Sequence, residues 1–359
     1  GNWEVTNYYG LDEKSGTIFY QSVENGSINR DIYAVKLNGS GKKRLSSATG
    51  TNSATFSPNF DFYITTFSNA TTPTRYSLND AKTGKEVQSI KNNDALSSKL
   101  KGYDLPSKEF LELTTAKGHK LNTWIIKPKD FDASKKYPVL MYQYSGPGSQ
   151  EVANTWLDTN DLWFMMLSQQ GYIVVCVDGR GTGFKGSDFK KTTYKDLGNL
   201  EVEDQIDAAK VIAQYNYVDN SRIGIWGWSY GGFMSSNCIL KGNDVFKMAI
   251  AVAPVTNWRF YDSIYTERFL QTPAENASGY DENSPINHVS KLKGKYLLIH
   301  GTADDNVHVQ NTMLMVEALV QANKQFDWAI YPDKNHGIYG GKTRLQLYTK
   351  MTNFIKDNL

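Results

Sequence analysis

A chain of 359 residues is long enough for one large domain and a smaller one. Its 39 Lys and Arg residues nearly balance its 37 Asp and Glu residues, and no run of five or six like charges occurs. The balance excludes a binder of nucleic-acid backbones, which needs a basic excess. No apolar stretch approaches the roughly 18 residues of a membrane span.

Residues 1–97 are predicted to be all β. Short runs rich in Tyr, Phe, Ile, Val and Thr alternate with turn residues, as at residues 16–20, 31–37, 53–57 and 60–67. A weak repeat of roughly fifty residues, with about four strands in each unit, has the size of a β-propeller blade. Two blades cannot close a ring, and residues 1–5 already resemble a strand. We therefore expect a preceding amino-terminal part that would carry any targeting signal.

From residue 98 onward the pattern changes to alternating strands and helices. Near-continuous apolar runs, typical of strands buried on both faces of a parallel sheet, occur at residues 138–144, 172–177, 222–226, 248–252, 296–300 and 326–331. Two helix faces are predicted between them, one from Val202, Ile206, Ala209 and Ile212 and one from Val309, Met313, Val316 and Val320. The alternation predicts an α/β domain with a mostly parallel, doubly wound sheet.

The sharpest local signal is the run Gly227-Trp-Ser-Tyr-Gly231, which matches the Gly-x-Ser-x-Gly nucleophile elbow. In this motif a strand turns sharply into a helix, the serine adopts a strained backbone conformation, and the flanking glycines avoid side-chain clashes. The strand predicted at residues 222–226 enters the motif, and helix-compatible residues 232–240 follow it. A turn of small residues is the alternative, but this context favours Ser229 as a nucleophile.

A serine hydroxyl needs a neighbouring base, and the sequence has only five histidines. Hydrolases with this elbow place serine, acid and histidine in that order along the chain, which leaves His308 and His336. His336 lies in a loop after the strand predicted at residues 326–331, where active-site residues of open α/β sheets occur. His308 stands at the start of a predicted helix, so we favour His336 as the base.

The acid should also follow a strand. Residues 296–300 lead into a loop with two adjacent candidates, Asp304 and Asp305, either of which could hold the imidazole in the right tautomer. A helix cap is the alternative role for each of them. The residues themselves do not separate the two.

Acyl transfer needs preset donors for an oxyanion. One donor is expected to be the backbone N–H of Tyr230, the residue after the nucleophile. The second should come from the loop after residues 138–144, but Pro147 in that loop has no N–H. The phenol of Tyr144 is therefore the candidate second donor.

Other motifs point to no cofactor. Residues 181–186 match Gly-x-Gly-x-x-Gly, but residues 187–193 are a poor helix start, so we interpret the segment as a flexible loop that binds no nucleotide. Neither a Walker motif nor a zinc-type spacing of Cys and His occurs, so no metal site is predicted. Cys176 and Cys238 are predicted to be buried free thiols.

Taken jointly, the motifs resemble the prolyl oligopeptidase family, and within it the dipeptidyl peptidase IV branch, over nearly the whole chain. The matching segments are residues 144–147, 178–181, 201–205, 227–232, 253–258, 261–268, 301–308 and 336–337. Residues 3–5 are similar to the start of one of the last blades of that family's propeller. The resemblance implies an α/β-hydrolase domain at residues 98–359, preceded at residues 1–97 by about two blades of a β-propeller.

The family pattern also implies roles for single residues. Asp304 would be the acid, His336 the base and Tyr144 the second oxyanion donor. An apolar pocket for the residue before the scissile bond would be formed by Tyr230, Val255, Trp258, Tyr261, Tyr265 and Val307, with Asn306 binding a substrate carbonyl. The implied activity is that of a serine exopeptidase that releases dipeptides from peptides with Pro or Ala at the penultimate position.

Several alternatives stay open beside this activity. A prolyl tripeptidyl peptidase of the same branch is the nearest one, because the propeller glutamates that bind the substrate's amino terminus in this branch precede residue 1. An acyl-aminoacyl peptidase or esterase is disfavoured by Tyr261 and Tyr265. A catalytically inactive binding homologue is disfavoured by the joint presence of Ser229, Asp304 and His336. The resemblance further implies a bacterial member, peptide substrates, a homodimer, and a periplasmic or secreted location.

Overall fold

The computed structural model of the chain describes residues 3–359, which divide into two compact units. The first unit contains the residues up to Lys108 together with residues 152–166 and 184–187, and the second contains the remainder. The boundary predicted at residue 97 falls within a short helix, α1 (Asp94–Lys101). Of the strand predicted at residues 1–5, Gly1 and Asn2 lie outside the described residues, and the first strand begins only at Val5.

The first unit contains two antiparallel four-stranded sheets, as expected for propeller blades. One sheet consists of β1 (Val5–Asp12), β2 (Thr17–Ser22), β3 (Asp31–Lys36) and β4 (Lys43–Arg44). The other consists of β5 (Thr51–Phe56), β6 (Phe62–Asn69), β7 (Thr72–Asp80) and β8 (Glu86–Lys91). Aromatic rings fill the core of this unit, where Phe19 stacks on Phe60 with centroids 5.3 Å apart. The predicted pattern of about four strands per blade is therefore confirmed.

The second unit is built on an eight-stranded sheet in the order β16-β15-β14-β13-β11-β12-β10-β9. Its strands are β9 (Lys108–Thr114), β10 (Lys120–Ile126), β11 (Tyr137–Tyr142), β12 (Ile173–Asp178), β13 (Val218–Trp228), β14 (Met248–Val252), β15 (Lys295–Gly301) and β16 (Asp327–Tyr331). The six strands from β11 to β16 are parallel, whereas β10 pairs with β12 in antiparallel fashion. The six predicted parallel strands are confirmed, and β9 and β10 were not predicted.

Helices connect these strands. They are α2 (Asp161–Gln169), α3 (Ser187–Lys191), α4 (Leu200–Ile212), α5 (Tyr230–Lys241), α6 (Ser263–Leu270), α7 (Ala277–Asp281), α8 (Gln310–Gln321) and α9 (Thr343–Asn358), with 3₁₀ turns at Trp258–Phe260 and Pro285–Lys291. Residues 181–186 lie outside any helix or strand, but the expectation of a poor helix start at residues 187–193 is wrong, because the short helix α3 begins at Ser187. Among residues 3–359, none of the helices has the length and apolar character that a bilayer crossing requires.

The buried face of α8 differs from the prediction. Met313 and Val320 are 38% and 55% exposed, whereas Asn311 and Thr312 are fully buried together with Met315 and Leu319. The polar pair is buried because each side chain has a hydrogen-bond partner: Asn311 Oδ1 accepts the backbone N–H of Thr256, and the Thr312 hydroxyl contacts a histidine ring. The predicted face of α4 is correct, since Val202, Ala209 and Ile212 are buried.

Candidate active site

Ser229 lies at a sharp turn between β13 and α5. Its φ of 60° and ψ of −118° fall in a strained region for a residue with a side chain, and its N–H donates to the Val252 carbonyl at 2.8 Å. A Cβ at Gly227 would lie 2.5 Å from the Gly231 backbone, and a Cβ at Gly231 would lie 2.5 Å from the Gln143 carbonyl oxygen. Both glycines are therefore required for the turn, as the elbow motif predicts.

The phenol of Tyr144 contacts the nucleophile directly. Tyr144 follows β11, whose residues pair with those of β13, and its hydroxyl lies within reach of Ser229. Burial raises the pKa of Tyr144 and the charge of Glu151 raises it further, while the interaction with Ser229 lowers it. The resulting pKa of Tyr144 lies above its ordinary value, so the phenol keeps its proton and can donate a hydrogen bond to an oxyanion formed at the serine.

Asp304 is the acid that meets His336. The carboxylate is fully buried, and its Oδ2 accepts the Nδ1–H of His336 at 2.7 Å. Its Oδ1 accepts the backbone N–H groups of Asn306 at 3.0 Å and Val307 at 2.9 Å. Burial alone would raise the pKa of Asp304, but the hydrogen bonds from the histidines and the backbone outweigh it and hold the carboxyl well below its ordinary range.

A second histidine, His300, lies on the other side of Asp304 and was not predicted as part of the site. Its Nε2 lies 2.7 Å from the Val307 carbonyl oxygen and 3.2 Å from Asp304 Oδ2, while Nδ1 contacts the Thr312 hydroxyl at 2.8 Å. A carbonyl accepts only, so Nε2 must carry the proton. Asp304 therefore receives N–H groups from two imidazoles and two peptide groups.

The loop that carries His336 is tied to the elbow by Trp228, the residue before the nucleophile. The indole N–H of Trp228 donates to the His336 carbonyl at 2.9 Å. The Trp228 ring also packs against the guanidinium of Arg344, whose Cζ lies 4.8 Å from the ring centroid. The Tyr339 ring contacts the same guanidinium, with its centroid 4.3 Å from Cζ. One chain of contacts thus runs from Asp304 through His336 and Trp228 to Ser229.

The aromatic side chains predicted to line a pocket pack against one another beside Ser229. The Trp258 ring lies 5.7 Å from Tyr230 and 6.2 Å from both Tyr261 and Tyr265, measured between centroids. Tyr230, Val255, Trp258 and Val307 are at most 3% exposed and belong to one apolar cluster. Burial raises the pKa of Tyr261 to about 12, so its hydroxyl is neutral. These residues therefore form a packed, predominantly apolar cluster next to Ser229.

Asn306 borders the pocket with its amide in a fixed orientation. The Tyr261 hydroxyl donates to Asn306 Oδ1 at 2.7 Å, which leaves the Nδ2 group facing away from that bond as a donor. A cavity of about 800 Å³ adjoins this point and is lined by Tyr261, Asp305, Asn306 and His308, among others. Within residues 3–359, no group of three or more His, Cys, Asp or Glu side chains is arranged to hold a metal ion.

The structure brings most of the predicted residues together. Asp304 and His336 form a pair, Ser229 and Tyr144 form another, and the pocket residues pack around Tyr230. Asp305 and His308 are exposed on the adjoining cavity instead. His300 and Trp228 were missed as site residues, although Trp228 lies inside the elbow motif and His300 lies only four residues before Asp304.

Comparisons with known proteins agree with this geometry. The profile of the prolyl oligopeptidase family matches residues 159–359, and that of the dipeptidyl peptidase IV amino-terminal region matches residues 1–74. Curated relatives named "Probable dipeptidyl-aminopeptidase B" are 38% identical over 99% of this chain in Sclerotinia sclerotiorum and 39% identical over 98% in Phaeosphaeria nodorum.

A solved structure is similar over the whole chain. The crystal structure of Porphyromonas gingivalis dipeptidyl peptidase 4 superposes with a TM-score of 0.97 at 53% sequence identity, and the match covers 100% of this chain and 50% of that one. The chain spans 39% of the length of the two curated relatives. From its sequence, its fold and the arrangement of its site, the chain belongs to the prolyl oligopeptidase family.

Proposed function

We propose that the protein containing this chain is a serine exopeptidase that releases dipeptides from the amino terminus of peptides with Pro, or less readily Ala, at the penultimate position. The observation that carries the proposal is the hydrogen-bonded pair of Asp304 and His336, tied through Trp228 to the strained turn at Ser229 and flanked by a cluster of aromatic rings. The similarity to dipeptidyl peptidase 4 of Porphyromonas gingivalis supports the dipeptide as product.

In the proposed acylation step, Ser229 Oγ attacks the scissile carbonyl and its proton passes to Nε2 of His336. Asp304 accepts the Nδ1–H of that ring at 2.7 Å, so it selects the tautomer with a free Nε2 and stabilises the imidazolium. The oxyanion accepts hydrogen bonds from the Tyr230 backbone N–H and the Tyr144 phenol. His336 then donates its proton to the leaving amine, and water repeats the sequence to release the acyl group.

The pocket accounts for a preference for proline. We propose that a pyrrolidine ring packs against the partly exposed rings of Tyr261 and Tyr265 at the edge of this aromatic cluster, and it has little rotamer freedom to lose on binding. Alanine would leave contacts with these rings unmade, while a leucine or lysine side chain would be longer than the pyrrolidine ring that we propose as the best fit. Among the described pocket residues, none has a charged side chain that could pair with a cationic group of the substrate.

The nucleophile is tested by labelling and turnover in the full-length protein. A fluorophosphonate probe should label wild type, and Ser229→Ala should abolish labelling and hydrolysis of Gly-Pro-p-nitroanilide, since the catalytic residues act as a unit. Ser221→Ala is the matched control, because Ser221 is an exposed serine of the same strand. Turnover that persists in Ser229→Ala would exclude the proposed mechanism.

Specificity is tested with a panel of chromogenic substrates. The full-length protein should give the highest kcat/KM with Gly-Pro, a lower value with Gly-Ala and the lowest with Gly-Leu p-nitroanilides. Preference for Ala-Ala-Pro would favour tripeptide release, and preference for an acetylated substrate would favour an acyl-aminoacyl peptidase. Preference for the Leu substrate would remove the post-proline assignment.

Assembly and compartment complete the proposal and are supported by family resemblance alone. We propose a homodimer, which light scattering of the purified full-length protein would detect as twice the monomer mass. We also propose a periplasmic or secreted location, which fractionation of the producing cells with activity assays on each fraction would test. A monomer, or activity retained in the cytoplasmic fraction, would contradict the corresponding part.

A further inference from the structure

One buried acid beneath the pocket is not used in the proposed mechanism. Glu201 lies in the first turn of α4 and is 0% exposed. An ion pair in the next turn holds this helix in place. Asp204 accepts hydrogen bonds from both Nε and Nη2 of Arg180, with the closest contact at 2.7 Å. A buried carboxyl needs hydrogen-bond partners, so its contacts indicate what it holds in place.

Both carboxyl oxygens of Glu201 have a partner. Oε1 accepts the hydroxyl of Tyr230 at 2.8 Å, and Oε2 accepts the backbone N–H of Gly198 at 3.0 Å. The ring of Tyr230 is in turn packed edge-on against Phe233, with centroids 5.1 Å apart. Glu201 is thus the polar anchor of a ring that is otherwise held by apolar contacts.

Tyr230 has two roles in the proposed reaction, because its N–H is an oxyanion donor and its ring is a wall of the pocket. Resting on that proposed function, we infer that Glu201 is a positioning residue that sets the place of Tyr230, and that uptake of a proton by Glu201 weakens this hold. The inference concerns how tightly the pocket fits proline, and Glu201 itself touches no substrate.

The chemistry of the two protonation states differs at one hydrogen bond. The ionised carboxylate accepts from both donors, the Tyr230 hydroxyl and the Gly198 N–H. When a solvent proton is bound at Oε1, that oxygen donates to the Tyr230 oxygen, and the phenolic O–H loses its acceptor in a buried place. Nothing else is transferred, so the step is a single proton uptake.

The surroundings of Glu201 bring this change near neutral pH. Burial is the main cause that raises the pKa of Glu201, and the charge of Asp196 adds to it; hydrogen bonds from the backbone and Tyr230 oppose them, and the resulting pKa is about 7. The other titratable groups that act on Glu201 are Lys241 at the end of α5 and Tyr265 on α6. Only Lys241 among them favours the ionised form.

The substitution Glu201→Gln in the full-length protein tests the effect of the proton on Glu201. A glutamine that accepts the Gly198 N–H must present its NH₂ to Tyr230, so it reproduces the hydrogen-bond pattern of the protonated acid at every pH. The KM for Gly-Pro-p-nitroanilide should equal that of wild type near pH 5 and exceed it about threefold to tenfold near pH 9, on the scale of one net hydrogen bond. kcat should change less than KM.

The quantity to measure is the KM of Glu201→Gln divided by the KM of wild type at each pH. The other pH-dependent groups of enzyme and substrate are common to both proteins, so their effect on KM cancels in the ratio, which should rise with pH around a midpoint near 7. Glu203→Gln is the matched control, since Glu203 belongs to the same helix but its side chain is 28% exposed and pairs with Arg180. Its ratio to wild type should stay flat.

A ratio for Glu201→Gln that stays at one, or that differs from one equally at every pH, would overturn the inference. If Glu201→Gln does not fold, Tyr230→Phe removes the same hydrogen bond from the other partner and should give the same pH-dependent ratio. A wild-type protein without turnover would count against the proposed function instead. The rate of fluorophosphonate labelling of Ser229, compared across pH in the same three proteins, would then decide the inference.

Discussion

Replacing Asp304 by asparagine should abolish most activity while leaving the fold in place. The asparagine oxygen can keep the two backbone N–H groups that Asp304 accepts at 3.0 Å and 2.9 Å. Its NH₂ group then occupies the position of Oδ2, which accepts N–H groups from His336 at 2.7 Å and His300 at 3.2 Å. Two donors would face each other at both contacts.

The two histidines respond differently to this change. His300 cannot reverse its tautomer, because its Nε2–H also donates to the Val307 carbonyl at 2.7 Å. His336 can reverse its tautomer. Its ring proton then moves from Nδ1 to Nε2, the nitrogen that should receive the hydroxyl proton of Ser229. We expect kcat to fall about 10⁴-fold, or about 5 kcal/mol in the activation free energy. Stability should fall by only about 1–3 kcal/mol, the cost of one unsatisfied buried donor.

Asp305→Asn is the matched control, because it makes the same chemical change one residue away on an exposed side chain. The assay is steady-state hydrolysis of Gly-Pro-p-nitroanilide by full-length protein, with thermal unfolding measured alongside. Asp305→Asn should keep kcat within about twofold and stability within about 0.5 kcal/mol. A larger kcat loss in Asp305→Asn than in Asp304→Asn would refute the reasoning, as would an Asp304→Asn protein that keeps full activity.

Three further changes test other parts of the site. Tyr144→Phe should leave unfolding unchanged and lower kcat by about 10²–10³, the scale of one oxyanion donor; an unchanged kcat would place the donor elsewhere. His336→Ala should be nearly inactive in the same assay while His308→Ala keeps most activity, and the reverse result would mean that the base is misassigned. In the folded protein the pKa of Glu201 is raised from 4.5 to about 7, so stability is lost as its carboxyl ionises. Between about pH 5 and pH 8, wild type should therefore lose up to about 3 kcal/mol relative to Glu201→Gln, at about 1.4 kcal/mol per pKa unit; unfolding midpoints that change in parallel would contradict this.

The proposed reactive residues could be selected from the sequence because each one follows a strand with a clear apolar pattern. Ser229 and His336 were found from the elbow motif and from the position of a loop after β16. The choice between Asp304 and Asp305 depended on family resemblance, because the two share one loop. What separates them is the local turn, in which Asp304 bonds to the N–H groups two and three residues ahead and is thereby directed inward.

Features that depend on buried polar partners could not be predicted from periodicity. The pattern assigned Met313 and Val320 to the core, but α8 instead buries Asn311 and Thr312 against Thr256 and His300. A hydrophobicity pattern treats asparagine and threonine as surface residues, because it contains no information about the partners that make their burial favourable. The same limit concealed the role of His300, which ends the apolar run of residues 296–299.

The strand order explains how residues so far apart in the chain meet. Along one edge of the sheet, β16, β15, β14, β13 and β11 are parallel neighbours, so the loops that follow them lie side by side in that order. These loops carry His336, Asp304, Val255, Ser229 and Tyr144 respectively. Strands are spaced about 4.8 Å apart, so β16 and β13 are separated by about 14 Å, and the loop of His336 has to reach back across β15 and β14 to approach Ser229. The indole N–H of the residue before Ser229, which donates to the His336 carbonyl at 2.9 Å, supports that return. Val255 follows β14, which lies between the strands that precede the base and the nucleophile, so we propose that this strand order also makes room for the substrate side chain.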